Sequence, residues 1–253
     1  MARRLNALVP CAGFGTRLGA LCEDTPKPLL SVGDRSILEH IVARLAIAGV
    51  SDVWINIHHL AERFFPVLGD GSRHGVRVHF VHESAPRGTA GTVRELAECF
   101  GEDDDLLVHY GDVLTDHDLA GLLAHHRQQQ AWGTILVHQR IGTNSRAVLD
   151  ADDRVVDFLE RPTRVAQGHI PWWAFSGVCV LSPRARAAIP SLPICDLPAH
   201  VFPTLARSGR LAAQRLDGFR VAIDSPARLE LAREAIAAGT LASDPFAIAR
   251  ARP

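Results

Sequence analysis

Two short stretches hold residue types that could do chemistry on a phosphate: G-F-G-T-R from Gly13 to Arg17 and P-K-P from Pro26 to Pro28. Glycine permits unusual dihedrals and close backbone approach, so Gly13 and Gly15, following the apolar run Leu5 to Pro10, suggest N–H groups turned toward phosphate oxygens. The candidate loop is Cys11, Ala12, Gly13, Gly15 and Thr16, with Arg17 and Lys27 as its local cations. Lys27 is the one lysine among 27 Lys+Arg. Against a background of arginine, a lysine here reads as a compact point charge kept in preference to a planar fork, chance placement being the alternative. Pro26 and Pro28 restrict the backbone on both sides and would aim its ammonium at a fixed point. Both standard nucleotide loops fail: Leu18 stands where G-x-G-x-x-G needs its third glycine, and no Gly-Lys-Ser/Thr occurs.

The elements that must position these residues follow from apolar periodicity. Strand-like runs at Leu5 to Pro10, Val53 to Ile57, Val76 to His82, Leu106 to Tyr110 and Thr134 to Gln139 alternate with helical segments at Ser36 to Ala48, Thr92 to Phe100 and Asp116 to Gln128. This alternation predicts an α/β fold, a Rossmann-like, mostly parallel mixed sheet with helices on both faces. The second half is less regular, with short strands at Val155 to Leu159, Ala174 to Leu181 and Leu211 to Leu216 before an Ala-rich helix from Pro226 to Ala238. It reads as a smaller β-rich insertion completing the pocket. One domain over residues 1–253 is expected, and the stretch after Gly239 shows little pattern.

Composition narrows the function classes. A formal net charge of -1 with both signs interspersed excludes nucleic-acid or membrane binding through bulk charge. No apolar run approaches the roughly 18 residues of a membrane span, so a cytoplasmic protein is expected. Five cysteines without a C-x-x-C pair suggest neither a disulfide framework nor a zinc site. The pairs His58-His59 and His125-His126 lack metal-ligand spacing and read as surface or packing residues.

The spacing of G-F-G-T-R and P-K-P resembles the signature of sugar-1-phosphate nucleotidylyltransferases, nearest the mannose- and heptose-1-phosphate guanylyltransferase branch. The resemblance continues in order through L-G-D-G-S-R-H-G (Leu68 to Gly75), P-R-G-T-A-G (Pro86 to Gly91), Y-G-D (Tyr110 to Asp112), F-L-E-R-P (Phe158 to Pro162), S-G-V-C-V-L (Ser176 to Leu181) and I-D-S-P (Ile223 to Pro226). It implies transfer of a nucleotidyl group from an NTP to a sugar phosphate, with Mg2+ as cofactor and Arg17, Lys27 and Asp112 as catalytic residues. A triphosphate also suits the charge pattern, since a near-neutral chain can meet it only with a dedicated loop. No nucleic-acid or membrane partner is implied, and a homo-oligomer stays open.

Asp112 follows an expected strand, at the end where open α/β sheets bind ligands, and is the candidate Mg2+ ligand; a turn residue after Gly111 is the alternative. Mg2+ takes one or two carboxylates beside phosphates, and Asp224 is the second candidate, with helix capping before Pro226 as its alternative. Many relatives carry the metal-binding Asp where Ala222 stands, whereas the I-D-S-P ending resembles choline-phosphate and related cytidylyltransferases.

The resemblance assigns base reading to Gly88 and Thr89 of the G-T-A-G turn and to Glu83, five residues before Gly88. A carboxylate only accepts hydrogen bonds, which suits the N1–H and N2–H2 donors of guanine and leans toward GTP; a strand cap or a pair with Arg87 is the alternative. Leu18 to Pro26, lacking the family's usual proline and threonine at 20 and 22, looks similar to heptose-1-phosphate guanylyltransferases. On the acceptor side the resemblance implies Glu160 at a sugar hydroxyl, Arg161 in place of the usual phosphate-holding lysine, and Gly177 against the sugar ring. Trp172 and Trp173 read as packing residues before a stacking platform. Cytidylyl, uridylyl or thymidylyl transfer, a phosphocholine-type acceptor, and a catalytically silent nucleotide-sugar-binding subunit are the rival readings.

Overall fold

The structure is a computed structural model that describes residues 5–140, 145–161 and 172–241. Pro162 of the F-L-E-R-P stretch and the tail beyond Leu241 lie outside the described residues. Along the chain run β1 (Asn6–Pro10), β2 (Ser31–Val32), β3 (Arg35–Ser36), α1 (Ile37–Ile47), β4 (Asp52–Ile57), α2 (Phe64–Leu68), β5 (Arg77–His82), α3 (Thr89–Glu95), β6 (Leu106–His109) and β7 (Val113–Thr115). There follow α4 (Leu119–Gln129), β8 (Gly133–Arg140), β9 (Ser145–Leu149), β10 (Val155–Glu160), β11 (Trp172–Leu181), α5 (Pro183–Ala187), α6 (Phe202–Arg207), β12 (Leu211–Arg215), β13 (Arg220–Ala222) and α7 (Pro226–Ala237). The fold is α/β with a mixed sheet, as the alternation predicts. Among the described residues no helix is long and apolar enough to cross a membrane.

The chain divides into two compact units. The first takes residues up to Pro86, His109–Ala120 and those from Asp217 on. Its strands β1, β4 and β5 are parallel, with β4 in the middle and Pro10 opposite Asn56 at the strand ends. Helix α1 starts where its cap predicts: Ser36 Oγ accepts from the Glu39 N–H at 3.2 Å, and the Glu39 carboxylate accepts in turn from the Ser36 N–H at 2.9 Å. Such a box stabilises a helix by about 1 kcal/mol. Its buried Ile37, Leu38, Ile41 and Leu45 join Leu8, Ile55, Phe64 and Leu68 in this unit's core.

On β4 and β5, Asp52 lies opposite Arg77, which grips it with two bonds of 2.8 and 2.7 Å, while His79 and Ser51 add bonds of 3.0 and 2.9 Å. The Arg77 hydrogen bond, helped by His79 and Ser51 against the opposing effect of burial, holds the Asp52 carboxyl well below the usual carboxylate range. A depressed folded value means the stabilisation is fully present above the unfolded value near pH 4 and is lost as pH falls through the folded one. Asp52→Asn is therefore expected to cost about 1.5–3 kcal/mol of unfolding free energy at pH 7. Urea titrations should show that gap narrowing below pH 4.

The second unit takes Arg87–Val108 and Gly121–Leu216. Here β8 pairs with β12 in parallel and β11 antiparallel, and β11 and β10 flank β9 antiparallel. Phe158, Phe175 and Phe202 pack edge to face at 5.4 and 5.1 Å in its core. Helix α3 begins at Thr89, earlier than the expected Thr92, and gives way after Glu95 to a single tight turn at Ala97–Cys99. Its first N–H groups find partners far off in sequence: Thr89 N–H donates to Asp196 Oδ1 at 2.9 Å, and those of Ala90 and Gly91 to the Cys195 carbonyl at 2.8 and 2.9 Å. Strand β9 has no counterpart among the strands expected from sequence. Helix α4 starts at Leu119 rather than Asp116: the Asp118 side chain accepts from the Ala120 N–H at 3.1 Å at the helix start, while the Asp116 carboxylate accepts from the Phe219 N–H at 2.6 Å.

Candidate active site

In the first unit the chain leaves β1 at Pro10, and the Cys11 N–H turns onto Asn56 Oδ1 at 2.8 Å. The glycine loop follows. Gly15 takes a left-handed φ of 66°, and a Cβ there would lie 3.1 Å from Cys22 Sγ and 3.3 Å from Lys27 Cβ, so glycine lets the loop close onto the lysine stem. At Gly13 a Cβ would meet nothing within 4 Å, and no internal contact explains that glycine. Thr16 and Arg17 open a tight helical stretch to Cys22, in which Leu18 is buried. Lys27 heads a short turn, Lys27–Leu29, entered through Pro26.

The Lys27 ammonium donates to Asp112 Oδ2 at 2.6 Å, with the two side chains 15% and 26% exposed. Gly111 makes this meeting possible. Its N–H donates to the Pro10 carbonyl at 3.2 Å, and a Cβ on it would come within 2.6 Å of Cys11 Sγ and 2.8 Å of Pro10 O. The backbone after Gly111 thus presses against the end of β1 and delivers Asp112 beside the loop.

Asp224 arrives by a second route. Strands β7 and β13 pair antiparallel with Ala222 opposite Val113, and the ladder is prolonged by Ile223 N–H donating to the Asp112 carbonyl at 2.8 Å. The Asp224 carboxylate sits between two guanidiniums, Arg17 at 3.7 Å and Arg228 at 3.3 Å. Ser225, not Asp224, occupies the N-cap position of α7, and it makes no side-chain cap bond there. Arg228, which also donates to the Ala222 carbonyl at 3.2 Å, is a third cation that the sequence did not single out. A carboxylate four residues before an arginine across a helix start was the available signal.

Glu83 directly follows β5 and is buried at 2% exposure. Its Oε1 accepts from Asn56 Nδ2 at 3.1 Å, and its carbonyl lies 2.7 Å from His58 Nδ1. Phe14 of the glycine loop packs edge-on to His58 with ring centres 5.2 Å apart. The expected alternative partner Arg87 pairs with Glu95 at 3.2 Å.

The second unit carries the remaining candidates. Gly88 holds φ 77° and ψ 162°, and the Thr89 hydroxyl accepts from the Leu197 N–H at 2.9 Å and reaches Asp196 Oδ1 at 3.3 Å. Thr89 thus has partners within the protein that its motif does not reveal. Glu160 ends β10, and burial pushes its carboxyl above the ordinary range; nearby Arg161 opposes this and Asp196 adds to it. Arg161 is 84% exposed, takes a left-handed φ of 48°, and approaches Glu160 only to 3.8 Å. Gly177 sits at φ 89° where the β11–β8 register shifts between Phe175 and Cys179. Trp172 and Trp173 lie under the guanidiniums of Arg146 and Arg215 at 4.7 and 5.0 Å.

Among the described residues no cluster of three or more His, Cys, Asp or Glu could hold a metal ion. The donor set near the loop is instead two carboxylates, Asp112 and Asp224, on adjoining strand ends. That number and hardness fit a magnesium ion that takes its other ligands from phosphate and water, and not a structural zinc.

Comparison with known proteins gives the family of the chain. The chain is 33% identical over 210 residues to a mannose-1-phosphate guanylyltransferase of Mycobacterium tuberculosis, covering 81% of this chain and 56% of that one. It is 28% identical over 228 residues to a mannose-1-phosphate guanyltransferase of Aspergillus fumigatus, covering 88% and 61%. The chain thus spans about three fifths of the length of such curated relatives. Its fold is shared with HddC from Yersinia pseudotuberculosis solved with GMP-PN, at a TM-score of 0.74 and 18% identity, over 91% of this chain and 98% of that one. The family profile described as Nucleotidyl transferase matches residues 6–185, and the chain belongs to that family.

Proposed function

We propose that this chain, acting as one nucleotidyltransferase domain, transfers a guanylyl group from GTP to a sugar-1-phosphate, giving a GDP-sugar and pyrophosphate. A phosphate oxygen of the acceptor forms a new bond to the α-phosphorus, and the bond from that phosphorus to the β-phosphate oxygen breaks. The acceptor phosphate is already ionised, so no protein nucleophile or general base is required. The observation that carries this reading is the Lys27–Asp112 pair at 2.6 Å beside the glycine loop, where an ammonium and a carboxylate from distant parts of the chain are held together. Lys27 and Arg17 supply positive charge where charge develops on the leaving group. Asp112 and Asp224 would hold Mg2+, which when bound neutralises phosphate charge. Glu83 supports guanine because it offers only acceptors to the base. The relatives named for mannose-1-phosphate and guanylyl transfer favour the same donor and a hexose-1-phosphate acceptor.

Pyrophosphate release from ATP, GTP, CTP, UTP and dTTP in separate reactions, with Mg2+ and a pool of hexose-, heptose- and cyclitol-phosphates plus phosphocholine, tests the reading. Release with GTP is expected. Release only with another triphosphate would discard the base assignment and keep the reaction, while silence with all five would overturn catalysis in favour of a nucleotide-sugar-binding subunit.

A further inference from the structure

We infer that Asn56, which no catalytic motif includes, is a positioning residue that couples the phosphate loop to the base-reading Glu83; this rests on the guanine reading above. Asn56 lies near the end of β4, a strand flanked on one side by β1, which leads into the loop, and on the other by β5, which leads into Glu83. Asn56, Glu83 and Cys11 are 3%, 2% and 5% exposed.

The amide's orientation is fixed by its neighbours. The Cys11 N–H can only donate, and it is shared between the Asn56 backbone carbonyl at 3.2 Å and the Asn56 side-chain oxygen at 2.8 Å, so the amide turns its oxygen and not its NH2 toward it. The NH2 group is thereby forced toward Glu83, where it donates to Oε1 at 3.1 Å. One side chain thus touches both the start of the loop, beside the backbone bond that also holds it, and the carboxylate at 83. A second link runs in parallel, since Phe14 of the loop packs on His58, whose ring bonds the Glu83 carbonyl. Base and triphosphate are then placed relative to each other by Asn56, and loss of its amide should weaken nucleotide binding more than acceptor binding.

The test exploits polarity. In Asn56→Asp two carboxyl groups face each other with no donor between them, whereas in Asn56→Asp combined with Glu83→Gln the new amide donates to the new carboxylate and the contact is restored with its direction reversed. Asn56→Ser, which removes the amide without adding charge, serves if Asn56→Asp does not fold. KM for GTP is expected to rise about tenfold in Asn56→Ser and Asn56→Asp, the loss of roughly one hydrogen bond to a charged group, while KM for the sugar phosphate stays within about twofold. Introduced on top of Glu83→Gln, Asn56→Asp should cost nothing in KM for GTP or in melting temperature. Unchanged KM for GTP in Asn56→Ser, equal shifts in both KM values, or an Asn56→Asp penalty that is the same with and without Glu83→Gln would overturn the inference. Failure of the guanylyl-transfer reading shows earlier and separately, as silence of the unmodified protein with GTP. The cycle is then read on melting temperature alone, where equal penalties in the two backgrounds still overturn the coupling.

Discussion

Lys27→Arg is expected to lower kcat/KM for pyrophosphate release by about 100-fold to 1,000-fold, the scale for removing one preorganised charge-stabilising donor. Net charge does not change, so the loss must come from shape. The Lys27 side chain is 15% exposed, its Cβ would lie 3.3 Å from a Cβ placed on Gly15, and its ammonium already sits at 2.6 Å from Asp112. A planar fork with five donors cannot replace a compact group in that space without displacing the loop or the carboxylate. The chain elsewhere uses arginine for every other basic residue, so supply is not what keeps a lysine here. Exposed Arg207→Lys is the control, expected within about twofold of the unmodified protein because surface substitutions away from special features are nearly neutral. Near-normal turnover of Lys27→Arg would show that any cation suffices and would remove the reason offered for the single lysine.

Gly88→Ala is expected to cost about 3–5 kcal/mol of stability, from a backbone region open essentially to glycine alone together with broken hydrogen bonds. At φ 77° and ψ 162°, a Cβ would stand 2.5 Å from the Cys195 carbonyl oxygen, 2.8 Å from its carbon and 3.0 Å from Asp196 Oδ1. That carbonyl cannot retreat freely, because it accepts from Ala90 and Gly91, and the Cys195 N–H is tied to the Arg87 carbonyl at 2.8 Å. Relief requires the Cys195–Asp196 segment to let go of the start of α3. Gly49→Ala separates the two contributions: its φ of 86° is also positive but a Cβ there meets nothing within 4 Å, so it should show only the dihedral cost of about 1–2 kcal/mol. Urea midpoints at unchanged slope measure both, and equal losses in the two variants would mean that the contact with Cys195 is harmless.

What the sequence made legible was whatever local periodicity or a local cap encodes. Strands β1, β4 and β5 appear as apolar runs, and α1 begins at the serine that caps it. The start of α3 was misplaced because the groups that satisfy its first N–H donors lie 107 residues on, at Asp196 and its neighbour. The strands β7 and β13 are three residues each, too short for a period to register, yet they are what carries Asp224 to Asp112. Lys27 and Asp112 could each be chosen for residue type and placement, but their contact across 85 positions belongs to the fold. Asn56 left a trace in the sequence all the same, a single amide in the otherwise apolar run Val53 to Ile57. A polar residue inside such a run asks for a buried partner, and Glu83 and the Cys11 N–H are those partners.

The clasp between the Ile223 N–H and the Asp112 carbonyl also sets an order of events during synthesis. Loop, lysine and Asp112 all leave the ribosome early, whereas the strand that seats Asp224 is made about a hundred residues later, roughly 5–20 s at ordinary elongation rates. A half-made chain therefore has Arg17, Lys27 and Asp112 but not Asp224, and the constellation closes only when the late segment folds back.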